Sequence, residues 1–334
     1  EGFFRLGGKF GSREESDIDP GAASGPAWTS GFDLERIIDD FVFMCFFVGN
    51  DFLPCVPHLD IADGSLNLMM NTYRDILPHI GGYLSDKTHI HLPRMELFLQ
   101  EMARREPLYF QQRSIDEKDE GYGGAGYRDH YYKMKFGIEY GDEPAIRKIV
   151  KSYIEGLFWV LTYYHEGCNS WTWFYPHLYA PLASDLTDLA SLEVSFPQGR
   201  PFTPLLQLLS VLPPQSGPFL PPSYRALMTD PQSPLLDVYP HDFLVDANGK
   251  KNAWECVVVI PFINEEVLLG AVSAVDHSSL TESERLRNVP GSQHRFAPKY
   301  TRDDPDRPRR AVDLRDAAWG NALARGSASR GGGG

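Results

Sequence analysis

From Leu34 onward, apolar residues recur at three- and four-residue steps: Ile37, Ile38, Phe41 and Val42. That spacing predicts a helix, with Asp33 placed to cap it. The run Met44-Cys45-Phe46-Phe47 is apolar all round, so the helix is expected to be buried. Gly49-Asn50-Asp51 ends it, and Pro54 and Pro57 keep the following chain extended. Further helical patterns span 64–80, 93–113, 127–136, 143–166, 203–211 and 264–275. The one over 143–166 is long and amphipathic, with Ile146, Ile149, Val150, Tyr153, Ile154 and Leu157 on its apolar face. Residues 116–126 read as a charged, glycine-rich surface loop, and Pro213 to Pro222 as a stiff connector. Asn248-Gly249 is a tight-turn signal before a short apolar strand between Trp254 and Pro261. Residues 1–31, rich in Gly, Ser, Asp and Pro, read as a loop or disordered lead-in. Residues 278–334 read as a disordered tail. The expected fold is mainly α, a large helical domain over 32–277 with a few short strands.

Composition narrows the class. The chain has 334 residues, of which 42% are hydrophobic and 13% aromatic, enough for a substantial core. Its net charge of −13 argues mildly against a nucleic-acid binder built on overall basicity. It suits a protein that holds divalent cations with carboxylates. The four cysteines include no Cys-x-x-Cys pair, which points to a reducing compartment. The most apolar stretch, Phe41 to Val48, is too short to cross a bilayer, and no membrane partner is expected.

Two constellations can carry chemistry. Asp51 follows the glycine that ends a buried helix, so a rigid support can aim one carboxylate into a cleft. Metal-dependent phosphodiester hydrolysis needs several carboxylates around two Mg²⁺ ions, and Asp51 is a candidate for one. The alternative is that it caps the next turn. Trp171, Trp173, Phe174 and Tyr175 form an aromatic cluster that either stacks the bases of single-stranded RNA or fills a core. The acids Asp33, Glu35, Asp39 and Asp40 read as favourable charge near a helix N-terminus. Gly121-x-Gly-Gly-x-Gly follows a charged run rather than a strand and does not read as a phosphate cradle.

The segments together say more than any one of them. Asp39-Asp-Phe-Val-Phe-Met-Cys-Phe-Phe-Val-Gly-Asn-Asp-Phe-Leu-Pro54 resembles the signature at the junction of the catalytic and helical regions of the XRN exoribonucleases. Similar segments follow in the family's order. They include Gly81-Gly-Tyr-Leu84, Tyr131-Tyr-Lys-x-Lys-Phe-Gly137, Tyr153-x-x-Gly-Leu-x-Trp-Val-Leu161 and Ser170-Trp-x-Trp173. Tyr179-Ala-Pro-x-Ala-Ser-Asp185, Leu227-Met-Thr-Asp-Pro-x-Ser-Pro234, Tyr239-Pro-x-Asp-Phe243 and Asn248-Gly-Lys-Lys-x-x-Trp254 complete the series. Met44-Cys-Phe-Phe and Met228-Thr-Asp-Pro resemble the nuclear branch.

The resemblance implies the C-terminal half of an XRN nuclease core. The activity it implies is Mg²⁺-dependent, processive 5′-to-3′ removal of nucleotides from 5′-monophosphorylated single-stranded RNA. Asp51 is the implied catalytic and metal-binding carboxylate, with the other Mg²⁺ ligands coming from an N-terminal region. Trp171 or Trp173 is the implied base-stacking residue. A nuclear location, with the cytoplasm as alternative, and a decapping or pyrophosphohydrolase partner are further expectations. A non-catalytic RNA-binding or protein-interaction scaffold is the rival. The chain departs from the family at Cys55, where His is usual, and at His177-Leu178. It also has Asp60-Ile-Ala-Asp-Gly64 for the usual Glu-Ile-Arg-Glu-Gly, which removes an arginine.

Overall fold

The computed structural model describes residues 33–139, 141–250 and 252–292. The readings made for 1–31 and for 293–334 lie outside these residues.

Asp33 caps helix α1 (Leu34–Met44), its carboxylate accepting the Glu35 amide at 3.0 Å. The helix tightens into a 3₁₀ turn, Cys45–Val48, and ends at Gly49, whose φ of 91° suits glycine. Phe43, Met44, Phe46 and Phe47 are buried, as expected. The rest of its apolar face is not: Leu34 is 69% exposed, and Ile38, Phe41 and Val42 are exposed too, while Ile37 packs on the core.

Helix α2 (Ser65–Ile76) leads to a two-residue antiparallel pair, β1 (Ser85–Asp86) and β2 (His89–Ile90), with Ser85 opposite Ile90. The pattern over 93–113 splits into α3 (Leu92–Ala103) and α4 (Glu106–Glu117). Pro107 is the reason: it has no amide hydrogen, and its ring clashes with the carbonyl four residues back, at Ala103. The stretch read as a surface loop carries two 3₁₀ turns, and Tyr122 is buried against Phe110. Helices α5 (Tyr127–Phe136) and α6 (Glu143–Glu166) follow, the latter with ten buried residues along its length, so that it runs through the core.

These elements enclose a first core centred on Phe43, Phe47, Phe98, Phe110, Tyr131 and Tyr153. A second core gathers around Leu209, Tyr224, Met228 and Leu268. It is built by α7 (Pro204–Val211), α8 (Pro222–Thr229) and α9 (Glu265–Ser273), while the antiparallel pair β3 (Leu244–Asp246) and β4 (Val257–Val259) lies outside it with Leu244, Val245, Val258 and Val259 exposed. The proline-rich connector is a 3₁₀ stretch over Pro214–Phe219 rather than an extended rod. The body also continues past 277. Leu280 is buried in the second core, and α10 (Glu282–Arg287) begins with a reciprocal capping box between Thr281 and Glu284. The fold is mainly α, with two short two-stranded sheets among the described residues. No described helix is long and apolar enough to cross a membrane.

Candidate active-site turn and aromatic wall

The segment after α1 is pinned from both sides. The Asn50 side-chain oxygen accepts the amides of Phe52 and Leu53 at 2.8 and 2.9 Å, and the Asn50 amide donates to the Leu53 carbonyl. This closes a four-residue turn with Asp51 at its tip. Leu53, Val56 and Leu59 are buried beneath it. A Cβ at Gly49 would lie 3.0 Å from the Cys55 amide nitrogen, so the two strands of the loop touch backbone to backbone. The Asp51 carboxylate itself is exposed and, among the described residues, has no hydrogen bond or ion pair. It does not cap the turn; Asn50 does that work. Beside it, Nδ2 of Asn50 is buried without a partner among the described residues.

Asp51 is therefore a free, hard oxygen ligand on a rigid support, which fits one position in a Mg²⁺ shell. The rest of such a shell is absent here: no group of three or more His, Cys, Asp or Glu side chains able to hold a metal occurs among the described residues.

Behind the turn stands a wall of rings. Phe52 packs on Trp159 at 4.9 Å and on Tyr163 at 5.1 Å, and Trp159 stacks nearly parallel on Tyr163. Trp173 also stacks on Trp159, 5.6 Å away at 25°. Buried Ser170 organises this end: its carbonyl accepts from the Trp159 indole, and its hydroxyl donates to the Pro197 carbonyl and accepts the Trp173 amide. Trp173 thus joins the wall that supports Asp51. Trp171, two residues away, is 50% exposed and has its amide fixed to the Gln198 carbonyl. Both indoles border a cavity of about 750 Å³ with Phe174, Phe243, Ile260 and Phe262. Among the described residues no Lys or Arg lines it, and Glu265 is the one charged lining residue.

Gly156 of α6 fits between the turn and the wall. A Cβ there would fall 2.4 Å from Leu53 Cδ2 and 3.0 Å from Trp173 Cη2. Leu53 is fully buried and cannot move aside. Gly156→Ala is expected to lower stability by about 1–2 kcal/mol in urea unfolding, overpacking outweighing alanine's better helix propensity. A stabilised variant would contradict this close fit.

Several functional-looking side chains prove to be joints. Asp40, read as charge near a helix end, is fully buried. It accepts from the Tyr73 hydroxyl, the Leu84 and Ser85 amides and the Ser85 hydroxyl at 2.6–2.8 Å. The sequence held one sign of this: Asp40 lies on the helical face of Phe43 and Met44, away from exposed Ile38 and Val42. Glu106 carries no local sequence signal of its role. It is buried and accepts from the Ala183 amide and from the hydroxyls of Ser184 and Tyr127, and burial pushes its carboxyl pKa up. His58 lies 3.8 Å from it, its pKa lowered to about 4 by burial against the hydrogen bond to the Met102 carbonyl. The repeated family-like segments meet in the same way. Tyr131 bonds the Ala180 carbonyl, Tyr132 bonds Asp185, and both Lys135 and Tyr179 bond Asp246.

Comparison with known proteins agrees with this architecture. The profile of the Xrn1 helical domain matches residues 31–123 and 116–304. The 5′-3′ exoribonuclease 2 of Gallus gallus is 34% identical over 364 residues, covering 80% of this chain and 38% of that protein. The 5′-3′ exoribonuclease 1 of Homo sapiens is 34% identical over 325 residues, 78% of this chain and 19% of the relative. The 5′-3′ exoribonuclease 2 homolog of Drosophila melanogaster is 32% identical over 338 residues, 79% and 37% respectively. The chain belongs to the XRN family, whose helical domain it carries. It spans less than two fifths of the length of each of these three relatives.

Proposed function

We propose that this chain is the helical part of a Mg²⁺-dependent 5′-to-3′ exoribonuclease that degrades 5′-monophosphorylated single-stranded RNA. The observation that carries the reading is Asp51: a partner-free carboxylate at the tip of a turn fixed by Asn50, Leu53 and the Phe52–Trp159 wall. Asp51 would hold one metal position, and an N-terminal catalytic region would supply the remaining ligands. Bound Mg²⁺ would activate water and offset charge on the phosphoryl oxygens. The chain's own residues orient. Trp173 steadies the turn from behind, and Trp171, half open, offers a ring face for a base or shapes the entrance. The exoribonuclease 2 relatives and the nuclear-type segments Met44-Cys-Phe-Phe and Met228-Thr-Asp-Pro favour a role in the nucleus, and a decapping or pyrophosphohydrolase partner belongs to the same proposal.

On this reading the 334-residue chain alone leaves 5′-phosphorylated RNA intact in Mg²⁺, because one carboxylate cannot hold two ions. A gel assay decides it: processive 5′ shortening that Asp51→Ala abolishes would show the chain to be self-sufficient. A second reading, a scaffold that binds RNA or protein without catalysis, draws on the largely apolar cavity beside Trp171 and Phe174. It expects binding that Asp51→Ala and metal removal leave unchanged.

A further inference from the structure

The polar contacts from residues 33–196 to residues 202–288 are concentrated at one place. Among the described residues, every side-chain hydrogen bond and ion pair running from residues 33–196 to residues 202–288 ends on the turn Asp246–Lys250 after β3. Asp246 takes Lys135 of α5 and the Tyr179 hydroxyl, and Asn248 accepts from Arg113 of α4 at 3.1 Å. Lys250 pairs with Asp60. The turn is shaped for this reach: Asn248 and Gly249 both have positive φ, 46° and 80°, and the Lys250 amide closes on the Ala247 carbonyl.

The Lys250 contact falls on the Asp51 segment. Asp60 caps the short helix Ile61–Asp63 with one carboxylate oxygen and holds Lys250 with the other. Lys250 is also near enough to the Cys55 thiol to offset part of the rise that burial imposes, which still takes that thiol to about 11. Cys55 in turn packs on the backbone of Gly49, two residues before Asp51. The pair is mostly sheltered, with side-chain exposures of 25% for Lys250 and 18% for Asp60. A cation therefore reaches this segment from the turn of the β3–β4 hairpin, although Ala62 stands where the resembled pattern has arginine.

We propose that Lys250 is a positioning residue for the Asp51 loop: the β3–β4 hairpin reaches over through Asp246–Lys250 and holds the segment Gly49–Asp60 closed against the first core. The functional weight of this rests on the metal-binding reading of Asp51. The clamp itself is tested without metal or RNA, so the two can fail separately. Cys55 serves as the reporter. The 334-residue chain is treated with N-ethylmaleimide in its native state, and the Cys55 peptide is quantified by mass spectrometry for wild type, Lys250→Met and Lys250→Arg. Removing a nearby cation only as a charge raises the thiol pKa and slows labelling. Releasing the loop speeds it. The clamp predicts labelling at least tenfold faster in Lys250→Met and close to wild type in Lys250→Arg. Amide exchange is expected to rise in 50–56 and to stay unchanged in 149–157 of α6. Asp60→Asn, which keeps the helix-capping oxygen, serves if Lys250→Met does not fold, with the same expectation. Unchanged or slower labelling in the neutral variant overturns the proposal. So does an equal rise in exchange along α6, which would mark general loosening.

Discussion

Asp51→Ala, introduced into a polypeptide that joins this chain to the N-terminal nuclease region of a relative, is expected to cut Mg²⁺-dependent 5′-nucleotide release on the order of 10³-fold. That is about 4 kcal/mol of transition-state stabilisation. The reason is chemical rather than structural. The carboxylate faces solvent and bonds to nothing among the described residues, so its loss leaves no cavity and no stranded donor. Unfolding free energy is expected to change by no more than about 0.5 kcal/mol. The turn keeps its shape, because Asn50, not Asp51, accepts the Phe52 and Leu53 amides. Asp51→Asn tests the charge alone: it keeps the size and loses most of the activity. Single-turnover release of the 5′ nucleotide is the measurement. Near-normal rates in both variants would remove Asp51 from the metal shell.

Asp40→Ala is expected to do the reverse, destabilising the chain by about 3–5 kcal/mol without touching the chemistry directly. Four donors converge on this carboxylate, and alanine leaves all of them buried without an acceptor. The Leu84 and Ser85 amides cannot turn elsewhere, since they belong to the backbone leading into β1. Tyr73→Phe removes one donor and leaves the other three satisfied, so about 1–2 kcal/mol is expected. Urea unfolding of the three proteins checks the order. Equal losses for Asp40→Ala and Tyr73→Phe would mean that the two amides contribute little.

The two carboxylates show what the sequence could and could not disclose. Helices were legible where burial follows a regular period, as along α6 from Ile146 to Leu161. Asp51 was legible as a candidate because glycine and asparagine announce the turn before it. Asp40 was obscured because its partners lie 33 to 45 residues away, in α2 and β1, and a local pattern holds no trace of them. Glu106 was hidden for the same reason, with partners at Tyr127 and Ser184. The stripe Leu34, Ile38 and Phe41 looked like core because hydrophobic spacing reports which face is apolar, not what covers it. The break at Pro107 was readable in principle but was overridden by the charged and apolar alternation on either side. The two tryptophans of one short motif point to different surroundings, and only their ring neighbours separate them.

The wall behind Asp51 also has an optical consequence. Trp159 and Trp173 stack at 5.6 Å and 25°, and Tyr163 stacks nearly parallel on Trp159. Indoles this close couple when excited, so a change in their separation or angle changes the near-ultraviolet circular dichroism. The protein therefore carries its own spectroscopic gauge of the turn, readable without any attached dye.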